Sequence, residues 1–311
     1  MSAVIAIDNL SKRFGDITAV DGLRMQVEEG EMFGLVGPDG SGKTTTIRML
    51  CGILVPTGGS ATVLGFDILK DPDKVKRQIG YLSQRFSLYG DLSIDENIEF
   101  FAEINQVYDF KARREELLEF TRLTPFRGRL AERLSGGMKQ KLALACTLIH
   151  APKIIFLDEP TTGVDPVSRR DFWKILQSLQ REGITIVMST PYLDEAERCS
   201  RVALMNQGRV ISLDTPAATR NRMEGKVLEI VMDRVRDGFR ILKGRPGLRE
   251  VQAFGDRLNV IVDDATSGMH EVERVLRENG LSVTSWRVIT PSLENVFISL
   301  LTQNAQREVS V

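Results

Sequence analysis

The chain has 311 residues, 42% of them hydrophobic and 27% charged, a length that points to two packed domains and a composition that excludes a disordered or fibrous chain. Lys plus Arg (41) nearly cancels Asp plus Glu (42), so no global field would hold the protein on nucleic acid or an anionic lipid surface. The longest apolar runs, such as Ile154 to Leu157 and Ile184 to Met188, fall far short of the roughly 20 residues that cross a bilayer, and any membrane attachment must go through a partner.

The amino-terminal M-S-A-V-I-A-I-D lacks the basic flank and long apolar stretch of a secretory signal and reads as a first strand. Further strands are expected at Met32 to Val36, Ala61 to Val63, Ile154 to Leu157, Ile184 to Met188, Arg201 to Met205 and Arg209 to Leu213. Their alternation with helical patterns indicates a parallel sheet flanked by helices, an α/β domain over 1–215. Between Leu92 and Ala145 the strand signal gives way to helical periodicity, including the charge-rich Lys111 to Leu123 stretch, which marks a helical insert over about 90–146. Cys51, Cys146 and Cys199 have no paired spacing and read as buried free thiols rather than as a zinc site or a disulfide framework.

After D-T-P the pattern changes, with a linker expected at 216–224, a second domain at 225–304 and a frayed tail at 305–311. The second domain reads as strand (Lys226 to Met232), helix (Arg234 to Lys243), a hairpin turning at Gly255-Asp256, helix (Gly268 to Asn279) and strand (Leu281 to Ile289). That is the small α+β, ferredoxin-like β-α-β-β-α-β order. A last helix is expected from Ser292 to Thr302.

Chemistry enters directly after the strand ending at Val36. There G-P-D-G-S-G-K-T-T, Gly37, Pro38, Asp39, Gly40, Ser41, Gly42, Lys43, Thr44 and Thr45, matches G-x-x-x-x-G-K-[ST], the phosphate loop of the P-loop NTPases. Its glycines let successive backbone N–H groups face phosphate oxygens at a helix start. Lys43 adds a mobile positive charge, and Thr44 a hydroxyl for magnesium, so Mg2+ and ATP are the expected cofactors. A second apolar strand, I-I-F-L, ends in Asp158 and Glu159. Asp158 is placed to hold Mg2+ through its water shell, and Glu159 to polarise a water against the γ-phosphate.

Between the helical insert and that strand stands L-S-G-G-M-K-Q, Leu134 to Gln140, which resembles the signature of the ABC transporter ATP-binding subunits. A hydroxyl and two glycines at a helix start expose backbone donors, another anion-binding terminus. The resemblance implies a head-to-tail dimer with a second ATP-binding subunit, identical or not, in which Ser135, Gly136, Gly137 and Gln140 close over ATP held by the opposite phosphate loop. It also implies that Phe14 stacks on adenine, that Gln84 senses magnesium and the attacking water and touches the membrane partner, and that Asp165 in T-T-G-V-D-P lies in the loop crossing the interface. With T-P-S-L-E-N-V-F-I at Thr290 to Ile298, the likeness covers nearly the whole chain and extends to the drug- and polysaccharide-exporting branch. The implied protein is an ATPase with no membrane span of its own, cytoplasmic and peripheral on the inner face of the membrane through an integral-membrane permease.

One family position departs. After the strand ending near Met188 the family shows S-T-H, whereas this chain reads S-T-P-Y-L-D-E-A-E with Pro191 at the switch histidine. Proline has neither a side-chain donor nor a backbone N–H. Of the two histidines, His150 reads as a cation at a helix end and His270 as a surface residue. Three readings stay open: an export motor with slowed turnover, a degenerate or regulatory subunit, and a soluble ABC ATPase acting on ribosomes or DNA ends, although neither a second cassette nor a long coiled coil is visible.

Overall fold

The computed structural model describes residues 3–84 and 88–309, which divide into two units at Leu213/Asp214. In the first, β1 (Ala3–Phe14) and β2 (Ile17–Glu28) form a hairpin, followed by β3 (Met32–Val36), α1 (Lys43–Leu50), β4 (Gly58–Val63), β5 (Phe66–Asp67), α2 (Pro72–Lys76) and β6 (Ile79–Leu82). The helical insert follows as α3 (Ile94–Ile104), α4 (Lys111–Thr121) and α5 (Gly136–Leu148). The chain then returns through β7 (Ile154–Asp158), α6 (Pro166–Arg181), β8 (Thr185–Thr190), α7 (Leu193–Ala196), β9 (Arg201–Asn206) and β10 (Arg209–Asp214).

Two sheets share the first unit. One has the order β10-β9-β3-β8-β7-β6, with β3 parallel to both β8 and β9 and β7 parallel to β6 and β8. Strands β3 and β7 are buried along their whole length, as expected of parallel strands covered on both faces. The other sheet, β2-β1-β4-β5, is antiparallel, which corrects the single-sheet expectation. In β2, Leu23, Met25 and Val27 are buried and alternate with Arg24, Gln26 and Glu28, a period of two that packs one face on Ile5, Ile7 and Ile47. In the insert, Ser93 and Glu96 close a reciprocal capping box that starts α3.

The second unit continues with α8 (Pro216–Asn221), β11 (Lys226–Val231), α9 (Val235–Leu242), β12 (Glu250–Phe254), β13 (Arg257–Val262), α10 (Ala265–Glu278), β14 (Ser285–Ile289) and α11 (Leu293–Val309). Its sheet runs β12-β13-β11-β14 with antiparallel pairings throughout. Leu228, Ile230, Leu258 and Val260 pack against Met269, Val272 and Leu276 of α10.

The helix expected from Gly268 begins three residues earlier, at Ala265, behind the Asp264 cap, and three further departures from expectation have a local cause or extend the chain's last helix. The segment read as a linker folds as α8, because the Thr215 hydroxyl accepts from Ala218 N and Pro216 fills the first turn. The last strand begins at Ser285 rather than Leu281, since Gly280, at φ +68°, turns the chain and Leu281 N donates back to Leu276 O to close α10. The backbone of α11 continues to Val309, past the expected fraying point. Met1 and Ser2 of the first expected strand and the last two residues of the expected tail lie outside the described residues.

Candidate functional site

Strand β3 delivers the chain to Gly37, whose N–H donates to Thr190 O at 3.4 Å. Any Cβ at Gly37 would overlap Met205 O and stand 2.8 Å from Ser41 Oγ, so only glycine permits this close approach. The loop then turns into α1. Lys43 is 4% exposed, and its ammonium donates to Gly37 O at 2.8 Å and Pro38 O at 3.0 Å. Burial pushes the Lys43 amine below its ordinary value, opposed by the neighbouring carboxylates of Glu159, Asp39 and Asp158.

Strand β7 brings the carboxylates to the same place. The Thr44 hydroxyl donates to Asp158 Oδ1 at 2.9 Å, and the Ser189 hydroxyl donates to the same oxygen at 2.6 Å. Asp158 is fully buried, yet its Oδ2 has no partner, and Ser41 Oγ, also buried, has none. Two orphaned oxygens beside a buried lysine are costly in a finished core and suit a site completed by a bound group. An oxygen-only set of Asp158 and Thr44 fits a hard cation such as Mg2+.

Glu159 holds an unusual backbone for a non-glycine residue, φ +50°. Its N–H donates to both Ser189 Oγ (2.9 Å) and Ser189 O (3.2 Å), which fixes the turn. Its Oε2 accepts from Gln84 Nε2 at 3.0 Å and from the Thr162 hydroxyl at 3.3 Å, while Oε1 lies 3.8 Å from Lys43 Nζ. Five residues from three separated stretches, Gln84, Lys43-Thr44 and Asp158-Glu159, are thus joined by direct bonds or an ion pair. Ser189 belongs with them and escaped the sequence reading. Its signal is the small hydroxyl at the end of β8, beside β7 in register with Asp158.

The other candidates sit apart from this cluster in their local bonding. Phe14, at the tip of the β1–β2 hairpin, is 49% exposed with the Lys12 ammonium 5.0 Å from its ring, and so is not a core aromatic. Ser135 caps α5, its hydroxyl accepting from Met138 N at 3.3 Å. Ser135 and Gly136 are exposed and Gln140 is half-buried. Gly137 is pressed against α6, where a Cβ would overlap the Ser168 side chain. Asp165 caps α6 through bonds from Val167 N (3.1 Å) and Ser168 N (3.0 Å), and bonds from the Ser168 hydroxyl and backbone hold its carboxyl below the usual range. Pro191 follows the last residue of β8. Thr45 continues the first turn of α1.

His150 corrects an expectation. Burial lowers its pKa from the ordinary 6.5, partly opposed by the bond from Nε2 to Ile79 O at 2.9 Å, which favours the neutral ring over the expected helix-end cation. His270 is exposed, and the three cysteines are buried free thiols as expected.

The family model for "ABC transporter" matches residues 20–162. The daunorubicin resistance ATP-binding protein DrrA2 of Streptomyces coeruleorubidus is 36% identical over 306 residues, 95% of this chain and 94% of that protein. The chain belongs to the ABC transporter family. The probable multidrug ABC transporter ATP-binding protein YbhF of Escherichia coli is 42% identical over 308 residues, covering 96% of this chain and 52% of YbhF. The chain spans about half the length of YbhF and of its Shigella flexneri counterpart. Among solved structures, an ATP-binding cassette in a dimeric post-hydrolysis state bound to ADP and Pi shares 26% identity at TM-score 0.60, over 68% of this chain and 98% of that one. The ABC cassette therefore accounts for the P-loop α/β fold of the first unit.

Proposed function

We propose that the chain binds Mg-ATP, hydrolyses it in a head-to-tail dimer with a second ATP-binding subunit, and so powers an exporter formed by a separate integral-membrane permease. The observation that carries this reading is the bonded cluster of Lys43, Thr44, Gln84, Asp158 and Glu159 at the start of α1.

In this reading the backbone of 37–45 and the Lys43 ammonium hold the β- and γ-phosphates at the positive end of α1. Thr44, Gln84 and Asp158 hold Mg2+, which supplies charge neutralisation on the phosphate oxygens. Glu159, oriented by Gln84 and Thr162, accepts the proton of the attacking water at its carboxylate. Phe14 offers an exposed ring for adenine. Ser135, Gly136, Gly137, Gln140 and Asp165 serve the partner's nucleotide, a role supported by the exposure of Ser135 and Gly136 at a helix start.

The domains follow as 1–215 for ATP and 225–304 for a ferredoxin-like unit. The latter is supported by the order β11-α9-β12-β13-α10-β14 and the sheet order β12-β13-β11-β14. Residence at the inner face of the membrane is assigned to the permease, since no helix among the described residues is long and apolar enough to cross a bilayer. Cargo choice is assigned to the permease too, and the names of YbhF, a probable multidrug transporter protein, and DrrA2, a daunorubicin resistance protein, make drugs the first class to try.

The test is membrane fractionation with and without the co-expressed permease, together with ATPase rates of both preparations. Recruitment and stimulation by the permease are expected. Sedimentation with lipid vesicles in the absence of any partner would contradict the reading.

A further inference from the structure

Glu195 is a buried carboxylate, 1% exposed, that no role above employs. Its Oε1 accepts from the Thr161 hydroxyl at 2.5 Å and its Oε2 from the Thr190 hydroxyl at 2.8 Å, while Arg169 Nε lies 3.6 Å from Oε1. Thr190 is occupied on every side. Its hydroxyl oxygen also accepts from Tyr192 N at 3.0 Å, and its carbonyl accepts from Gly37 N at 3.4 Å. The Arg169 guanidinium lies over the Tyr192 ring, 4.9 Å from its centroid.

The positions of these partners give the network its meaning. Thr161 follows Glu159 by two residues, Thr190 directly precedes Pro191, and Arg169 lies one turn beyond Asp165 in α6. A buried charge is tolerated only when fully paired, and a paired network in a low-dielectric interior resists the separation of its members. An alanine or leucine would have filled the interior side of the four-residue helix α7 without that requirement.

We propose that Glu195 is a positioning residue that clamps the turn carrying Glu159 to the loop carrying Pro191 and, through Thr190, to the phosphate loop at Gly37. The three arms around the γ-phosphate then shift together, and the clamp supplies order to a loop whose Pro191 offers the phosphate no donor. This rests on the ATPase reading given above.

Glu195→Gln keeps the shape but replaces one acceptor oxygen with an NH2 donor, so one of the two hydroxyls, of Thr161 or Thr190, loses its acceptor. The expected result is a kcat about tenfold lower with the ATP Kd changed by less than about twofold. Thr190→Val should lower kcat similarly, and the double variant should be no slower than the slower single variant, because both break one network. Hydrogen exchange of residues 159–165 and 189–192, measured without nucleotide, should accelerate in both segments in Glu195→Gln. That measurement needs no turnover. If the wild-type protein hydrolyses no ATP, the ATPase reading fails, and the exchange result alone decides for or against the clamp. If Glu195→Gln does not fold, the cycle is run with Thr161→Val and Thr190→Val. Additive losses of kcat, or a lowered Tm with kcat and segmental exchange unchanged, would overturn the proposal.

Discussion

The Thr44 hydroxyl donates to Asp158 Oδ1 at 2.9 Å, which ties the first turn of α1 to the end of β7 and leaves Asp158 Oδ2 buried without a partner. Asp158→Asn preserves an acceptor for Thr44 and Ser189 but removes the charge. The affinity gained by adding Mg2+ to ATP should fall by about tenfold or more, while Mg-free nucleotide binding changes little. Calorimetric titration with ATP, with and without Mg2+, measures both; an undiminished Mg2+ effect would remove Asp158 from the metal set.

Lys43 and Glu159 share an ion pair at 3.8 Å yet should separate in function. Lys43→Ala removes the buried cation and should abolish productive ATP binding. Glu159→Gln keeps shape and binding, should slow hydrolysis by about 100- to 10000-fold, and should accumulate an ATP-bound dimer. Nucleotide binding, steady-state turnover and size-exclusion chromatography distinguish the two variants. Unchanged turnover in Glu159→Gln would refute its assignment to the attacking water.

Pro191→His restores an imidazole donor at the end of β8. If that donor reaches the γ-phosphate, it stabilises the transition state by about 1 to 4 kcal/mol, and single-turnover hydrolysis at saturating ATP should rise correspondingly. Proline also constrains Thr190 toward extended geometry, but Thr190 is held independently by Glu195 and Tyr192, so the loop should survive the exchange. An unchanged or lower rate with binding intact would show that the missing histidine does not limit catalysis.

Acid sensitivity should trace in part to His150. Burial lowers its pKa below the ordinary 6.5, partly offset by the bond to Ile79 O. Below that ordinary value the unfolded chain takes up a proton that the folded chain resists, so this contribution to stability is complete above about 6.5 and is lost as pH falls. His150→Gln can still donate to Ile79 O but does not titrate. The stability difference between wild type and variant should therefore shift against the wild type between pH 7 and 5, as read by urea unfolding; a pH-independent difference would contradict the buried neutral ring.

The parts of the site that were legible in the sequence are those encoded locally. Gly37 to Thr45 and the Asp158-Glu159 pair each lie at the end of an apolar strand, so spacing alone locates their chemistry. Ser189 and Glu195 were not legible as site residues because their meaning comes from strand pairing and from contacts across 31 and 34 residues. The antiparallel sheet was readable in principle from the alternation in Leu23 to Glu28. A parallel-sheet pattern dominates the rest of the unit and masks that alternation. The helix Pro216–Asn221 carries a Thr-Pro start signal, but D-T-P is equally a turn sequence, so the local residues alone do not separate helix from linker.

The positive φ of Glu159 gives position 159 two conflicting demands. A left-handed backbone costs a side-chain-bearing residue on the order of 1 to 2 kcal/mol, a strain that glycine would release while deleting the carboxylate. Glu159→Gly should therefore melt later than Glu159→Gln, although neither hydrolyses ATP at the wild-type rate. The turn after β7 is a spring held wound by Ser189, and the carboxylate at its tip is the reason to keep it wound.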